Sequence, residues 1–208
     1  SSSSEPNSAL DSSTALSPIP TNLDSSEISR KLELVVKKIL IIYEAWKNVQ
    51  KRGTSLCHGI EKIKQKTFDE TNSEYETKFP EDLLNKCKNL RMICTMLEEL
   101  ISETEFAVTQ LRVLNEIDSK GNNNSTVYFK TWKLSKFFDT GEYLLNLYRK
   151  EHEIKVIISE NIGHSRDKNE LILHTSIWEH PCFINQSVDV ILQELASELS
   201  INLPIKSP

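Results

Sequence analysis

Residues 147 to 165 read LYRKEHEIKVIISENIGHS and crowd Tyr148, Arg149, Glu151, His152, Glu160 and His164 together. A phenol, a guanidinium, carboxylates and imidazoles are the groups that general acid–base chemistry or metal ligation uses. Wound as a helix, however, the stretch points Leu147, Ile154, Ile158 and Ile162 one way and spreads Arg149, His152, Glu153 and Glu160 around the rest. No acid, base and nucleophile converge. Tyr148, Glu151 and Lys155 lie at three- and four-residue steps, where Glu151 and Lys155 are expected to form an ordinary helix-surface pair worth about 0.2–0.5 kcal/mol. The stretch therefore reads as a structural or partner-binding face, with no catalytic role assigned.

Other reactive types fare no better. His164, His174 and His180 show neither HExxH nor Cys/His knuckle spacing, so a metal-dependent hydrolase built on His164 and His180 ranks last among the functional readings. Cys57, Cys87, Cys94 and Cys182 form no CxxC pair and fit a reducing compartment. Cys57 and His58 are neighbours in sequence and diverge by about 100° on a helix, poor geometry for a nucleophile and its base. The chain has 5 glycines in 208 residues and carries no GxGxxG, GxxxxGK[ST] or GxSxG, which removes the glycine-rich phosphate and nucleophile loops. No catalytic, cofactor-binding or metal-ligating residue is assigned.

A glycine-poor chain suits long helices. Asp24 and Glu27 have capping-box spacing, and from there Ile28, Leu32, Val35, Ile39, Ile42, Trp46, Val49, Gly53, Leu56, Ile60 and Ile63 step by four and three residues, a heptad seam interrupted at Gly53. A polar stretch, FDETNSEYETKF, breaks the pattern, and Pro80 is expected in the first turn of a second helix. That helix carries the seam Leu83, Cys87, Leu90, Cys94, Leu97, Ile101, Thr104, Val108 and Leu111. The two arms are expected to fold back as an antiparallel hairpin. Charge points the same way: residues 27–66 hold ten bases against four acids, and residues 67–118 hold twelve acids against five bases. An acidic arm beside a basic one, in a chain of net charge −5, argues against direct nucleic-acid binding. The longest apolar runs fall short of a membrane span.

The predicted architecture is all-α: a disordered Ser/Pro tail over 1–24, a hairpin over 25–118, a flexible loop over 119–131, and a helical segment over 132–203 packing on the hairpin. Within the last segment, VYFKTWKLSKFF reads as irregular, and Asp139 with Glu142 marks a third long helix, closed by Gly163 in the left-handed conformation. Asp167 with Glu170 opens a short helix through Trp178, and Val188, Ile191, Leu192, Leu195 and Leu199 form the apolar face of a last one. Ser17 in LSPIP has the minimum context for proline-directed phosphorylation.

Tryptophan is enriched at interface anchors; Trp46 sits on the first seam, while Trp132 and Trp178 lie in weakly periodic segments open to burial or docking. Thr131-Trp132, then Leu147-Tyr148-Arg149-Lys150-Glu151, then Glu160 and His164, then Ser176, Trp178, His180, Pro181 and Phe183 form an ordered set. With Trp46, Gly53 and Ile60, that set resembles the cyclin-dependent kinase 2-interacting protein family. The resemblance implies a small, mostly helical, non-enzymatic protein, nuclear and also cytoplasmic. It further implies partners among cyclin-dependent and replication-initiating kinases, AAA-type ATPase subunits with another small helical subunit, and roles in genome maintenance and maturation of the large ribosomal subunit. The partner-binding candidates are Trp132, Tyr148, Arg149, Glu151, His164, Trp178, His180 and Phe183. Heptads alone would equally fit a coiled-coil tether or kinetochore-type subunit.

Overall fold

The computed structural model describes residues 18, 19, 23–70, 80–121 and 126–201. Ser17 and most of the N-terminal tail lie outside the described residues. Five α-helices account for nearly all of the structure: α1 (Ser25–Glu70), α2 (Glu81–Lys120), α3 (Leu134–Asn161), α4 (Lys168–Glu179) and α5 (Gln186–Glu198), with a 3-10 turn at Ile162–His164. A two-stranded ribbon, β1 (Val127–Tyr128) and β2 (Trp132–Lys133), precedes α3. The fold is all-α, and α1 and α2 form the expected antiparallel pair. Helix α2 also packs along α3, while α4 and α5 both lie against α1 and α3. The tandem α4–α5 thus takes the place of a fourth helix and closes a four-layer bundle.

Local signals explain most of the element ends. Asp24 accepts from Glu27 N at 2.8 Å while Glu27 accepts from Asp24 N at 3.1 Å, a complete capping box. Asp167 does the same for α4 through Glu170 N at 2.9 Å, and Asn185 caps α5 by accepting from Ser187 N at 3.0 Å. Pro80 is the N-cap of α2, outside its first turn. Gly163 is not the left-handed terminator of α3: it lies in the 3-10 turn, and no described glycine has positive φ. Ser200, at φ 56°, takes that role after α5, letting Ile201 N reach Ala196 O at 2.9 Å.

The first seam is buried from Ile28 to Val49, but Leu56 and Ile63 are only half-buried, and Cys57 is sealed in instead. A straight α-helix drifts about 20° per heptad relative to a seven-residue repeat, so after four heptads the inward position has moved on by nearly one residue. Val36, Leu40 and Tyr43 are also buried, because α1 faces the fourth layer as well as α2. The opposite charges of the arms give one described bridge between them, Lys38–Glu103 at 2.5 Å. Two further bridges join α2 to α3, one with its acid on α2, Arg149–Glu105 at 2.9 Å, and one with its acid on α3, Arg112–Glu142 at 3.2 Å. All are substantially exposed, so packing rather than charge sets the pairing.

The irregular stretch expected before residue 139 is ordered. Val127 pairs with Lys133 and Tyr128 with Trp132, Phe129 turns the chain at φ 63°, and α3 starts at Leu134. A two-stranded ribbon is marginal by itself. Here Tyr128 Oη donates to Asp118 of α2 at 2.7 Å, and Glu198 of α5 accepts from Thr131 N at 2.8 Å, from Trp132 N at 3.2 Å and from the Thr131 hydroxyl. Burial works to raise the Glu198 pKa, but these donors outweigh it and hold the carboxyl below its usual range.

Gly53 does more than interrupt a seam. A Cβ built there would lie 2.2 Å from Cζ2 of Trp178, so the indole of α4 occupies the space a side chain would need. Elsewhere in a helix, glycine to alanine stabilises by about 1 kcal/mol. At this position Gly53→Ala is expected to reverse sign and destabilise by about 1–3 kcal/mol through overpacking, measured by urea denaturation.

Candidate functional site

The fourth layer is broken in its middle. Pro181 lacks the N–H that would continue α4, and the residue before it, His180, leaves the helical region at φ −110°, ψ 86°. A helix end exposes carbonyls and a helix start exposes amides, and both sets here face the interior of the bundle. Two side chains of α3 satisfy them. Lys155 Nζ donates to Trp178 O at 2.7 Å and to Ile177 O at 3.4 Å, closing α4. Glu151 Oε2 accepts from Phe183 N at 2.7 Å and Ile184 N at 3.4 Å, supporting the chain that leads into α5. The two charged groups stand 3.1 Å apart, and both side chains are 0% exposed.

This pair is the opposite of the surface bridge that the spacing suggested. Burial pushes the Lys155 pKa down, and the adjacent Glu151 carboxylate pushes it back up. The ammonium also lies 4.9 Å from the ring centroid of Trp178. Trp178 in turn exchanges hydrogen bonds with Gln50 of α1: its indole Nε1 donates to Gln50 O at 3.3 Å, and Gln50 Nε2 donates to Trp178 O. Glu151, Lys155, Trp178, Gln50 and Gly53 thus form one continuous internal cluster joining α3, α4 and α1.

The candidate docking residues divide accordingly. Tyr148, Glu151 and Trp178 are interior groups, with the Tyr148 ring tilted by 48° at 4.6 Å from that of Trp46, so they do not present a face to a partner. The Glu151 carboxylate and the Trp178 indole N–H are already used within the fold. Trp132 is half-buried and packs at 5.1 Å from Phe137, and Phe183 is half-buried with Lys150 Nζ 5.6 Å from its ring. Arg149, His164 and His180 are exposed, but Arg149 turns toward Glu105 of α2, His164 lies in the 3-10 turn and His180 lies at the break. No single surface gathers them.

The cluster had a readable signal. Leu144, Tyr148, Glu151, Lys155, Ile158 and Ile162 step by four and three residues, and all six are buried. The heptad therefore ran through the acid and the base, and the alternative stripe through Leu147 and Ile154 hid it. Among the described residues no group of three or more His, Cys, Asp or Glu could hold a metal ion. The Cys57 thiol is pushed up to about 12 by burial, and His58 faces Glu61 at 3.4 Å and Glu179 at 3.5 Å. No described helix is long and apolar enough to cross a membrane.

No family model matches the chain. Among curated proteins it is similar to the cyclin-dependent kinase 2-interacting protein of Xenopus laevis, 24% identical over 117 residues, which are 56% of this chain and 55% of that protein. The proteins of the same name from Mus musculus and Homo sapiens are 19% and 18% identical over 170 residues, 74% of this chain and 80% of theirs. The match thus spans about half the length of the frog relative. All carry the name of the family that the ordered tryptophan, LYRKE and His-Pro residues resemble.

Two measurements check the energetics of the cluster. Lys155→Met leaves a buried carboxylate without its cation and is expected to destabilise by about 3–5 kcal/mol. A plain buried ion pair is often replaced by apolar residues with little loss, but this pair also serves backbone groups. The double variant Glu151→Leu, Lys155→Met should therefore remain destabilised by at least about 2 kcal/mol, and full recovery in chemical denaturation would contradict the capping role.

The second measurement concerns pH. Burial raises the phenol pKa values of Tyr43, Tyr128 and Tyr148, helped by Asp189 for the first and Asp118 for the second. Their contribution is whole below the ordinary tyrosine value near pH 10 and declines above it, by about 1.4 kcal/mol per pH unit for each group. Lys155 and the partly buried Lys64, with folded-state pKa values lowered, have the opposite sign as pH rises toward 10.5, whereas the raised thiols of Cys57, Cys87 and Cys94 add to the decline from about pH 9. Unfolding free energy measured from pH 9 to 12 should fall steeply above pH 10; a flat profile would contradict the sealed phenols.

Proposed function

We propose that this chain is a non-enzymatic helical binding protein that engages a cyclin-dependent kinase in cell-cycle control. The observation that carries the reading is its similarity, over 74% of its length, to mouse and human proteins named for interaction with cyclin-dependent kinase 2. The site chemistry supports it: the conspicuous acid and base of α3, Glu151 and Lys155, are engaged in holding the fourth layer together. The finer parts of the proposal are docking beside AAA-type ATPase subunits in maturation of the large ribosomal subunit, links to replication and genome-maintenance signalling, and a nuclear location. An open coiled-coil tether is the weaker reading, because the fourth layer covers α1 and α3 and uses the apolar faces such a tether would offer.

The test is direct binding of the purified full chain to purified cyclin-dependent kinase 2, with and without its cyclin. A Kd of about 1 µM or tighter, equivalent to about 8 kcal/mol, is the expected result. No saturable binding to either form, with the chain shown to be folded, would overturn the proposal.

A further inference from the structure

Both methionines of the chain, Met92 and Met96, line one groove on the outside of the hairpin. Residues of α1 and α2 alone form it, and its volume is about 570 Å³. Leu56 of α1 and Ile93 of α2 complete its apolar surface. Ile93 is buried and Leu56 and Met96 are half-buried, but Met92 is 64% exposed. Methionine is unbranched and polarizable, so a surface built on it adapts its shape to an incoming apolar face.

The walls of the groove carry one sign of charge. Arg52 on α1 and Lys86 on α2 are its charged lining residues, Ser55 and Asn89 are neutral, and no carboxylate lines it. Both cations are seated against the walls: Arg52 Nη1 lies 3.7 Å from Met96 Sδ, and a Cβ built at Gly59 would meet the end of the Lys86 side chain at 3.1 Å. Glycine at position 59 therefore leaves the space in which Lys86 lies across α1. By helical register the sign continues along α1, where Arg52, Ser55, Gly59, Lys62 and Lys66 follow one another at three- and four-residue steps. Among the described residues none of Arg52, Lys62, Lys66 and Lys86 forms an ion pair. The nearest acids along α2, Asp82 and Glu99, fall outside the lining, one turn before Lys86 and one turn after Met96. Four cations against these two acids leave the groove positive.

Its direction and length indicate the form of an occupant. Lys86, Asn89, Ile93 and Met96 succeed one another at three- and four-residue steps, so the groove follows the α2 axis for about 15 Å, nearly three helical turns. A helix laid alongside two others fills such a groove with its own apolar stripe. Because a cation stands on each wall, the matching helix carries carboxylates on both flanks of that stripe, as the flanking positions of a coiled coil do. A second copy meeting the first groove to groove would set Arg52 and Lys86 against their own kind, which disfavours that arrangement.

We propose that this groove is a docking site for an acidic amphipathic helix of a partner protein, its apolar stripe resting on Leu56, Met92, Ile93 and Met96 and its carboxylates meeting Arg52 and Lys86. The inference rests on the reading of the chain as a binding protein, and it names the surface and the partner chemistry that this reading leaves open.

The probe is a pair of synthetic helical peptides of about 16 residues, alike in their leucine stripe and carrying either glutamate or lysine on both flanks. Each is titrated into the intact 208-residue chain, with affinity measured by calorimetry and the site read from the methyl signals of Met92 and Met96 by nuclear magnetic resonance. The expected result is that the glutamate peptide moves both methyl signals and binds at least about tenfold more tightly than the lysine peptide. Met92→Glu, at an exposed position, should weaken the glutamate peptide by a similar factor while the unfolding midpoint stays unchanged. The double variant Arg52→Glu, Lys86→Glu should reverse the preference between the two peptides, an outcome that damage to the fold would not produce. Equal affinity for both peptides, no binding of either, or binding that leaves the methyl signals in place would overturn the docking site. So would self-association of the peptide-free chain in sedimentation that Met92→Glu abolishes, which would give the groove to a second copy. So would a single-stranded oligonucleotide that moves the methyl signals when the glutamate peptide does not. Failure of wild type to bind the kinase would overturn the kinase reading alone, because peptide binding is measured without kinase.

Discussion

A lysine and a glutamate with no access to water hold the architecture where its fourth layer breaks. Moving two charges out of water is expensive, and mutual attraction alone often fails to offset it. Glu151 and Lys155 do better than an isolated pair because each also completes backbone that the break at Pro181 leaves unfinished. The carbonyls at the end of α4 meet a cation, and the amides that follow meet an anion, so each charge sees the helix end of complementary sign. Without that arrangement the fourth layer would have to be one continuous helix or leave polar backbone stranded beside the core.

The packing around the pair follows from it. Trp178, brought inward at the end of α4, needs a partner surface without a side chain, and Gly53 supplies it. Its indole then finds the Gln50 carbonyl, and Gln50 answers with its amide. At the far end of the layer, α5 is fastened by a second buried acid, Glu198, which holds the turn of the β-ribbon. Helix α5 is thus bracketed by two carboxylates that accept backbone N–H groups, Glu151 before its start and Glu198 at its end, and apolar residues such as Val188, Leu192 and Leu195 fill the span between.

Periodicity and capping made the helices legible in the sequence: the seams from Ile28 and from Leu83, the boxes at Asp24 and Asp167, and the apolar face of α5 all appear as read. What was lost came from context that a single helix does not contain. The shift of the seam from Leu56 to Cys57 is a matter of helical pitch accumulating over four turns of the repeat. The ribbon before α3 depends on Asp118, which belongs to another helix, and on Glu198, which comes 67 residues after Thr131. Glu151 and Lys155 look like solvent-facing residues by type, and only the four-three step that they share with Tyr148 and Ile158 betrays their interior place. Of the residues that carry the resemblance to kinase-interacting proteins, several, Tyr148 and Trp178 above all, are interior groups of the fold.

The reach of the contacts made by the broken layer bears on how the molecule comes together. The bridges joining α2 to α3 span 30 to 58 residues, whereas the bonds from α1 to Trp178 and Asp189 span 128 and 146. Contacts of long sequence separation carry the larger loop-closure entropy and favour late formation. During synthesis the first three helices leave the ribosome before α4 and α5 exist, and in that interval Glu151 and Lys155 stand hydrated on an open face. Two charges on what will become the core keep that nascent intermediate from presenting an uninterrupted apolar stripe to other chains, a safeguard against aggregation that disappears when α4 and α5 dock and dehydrate them.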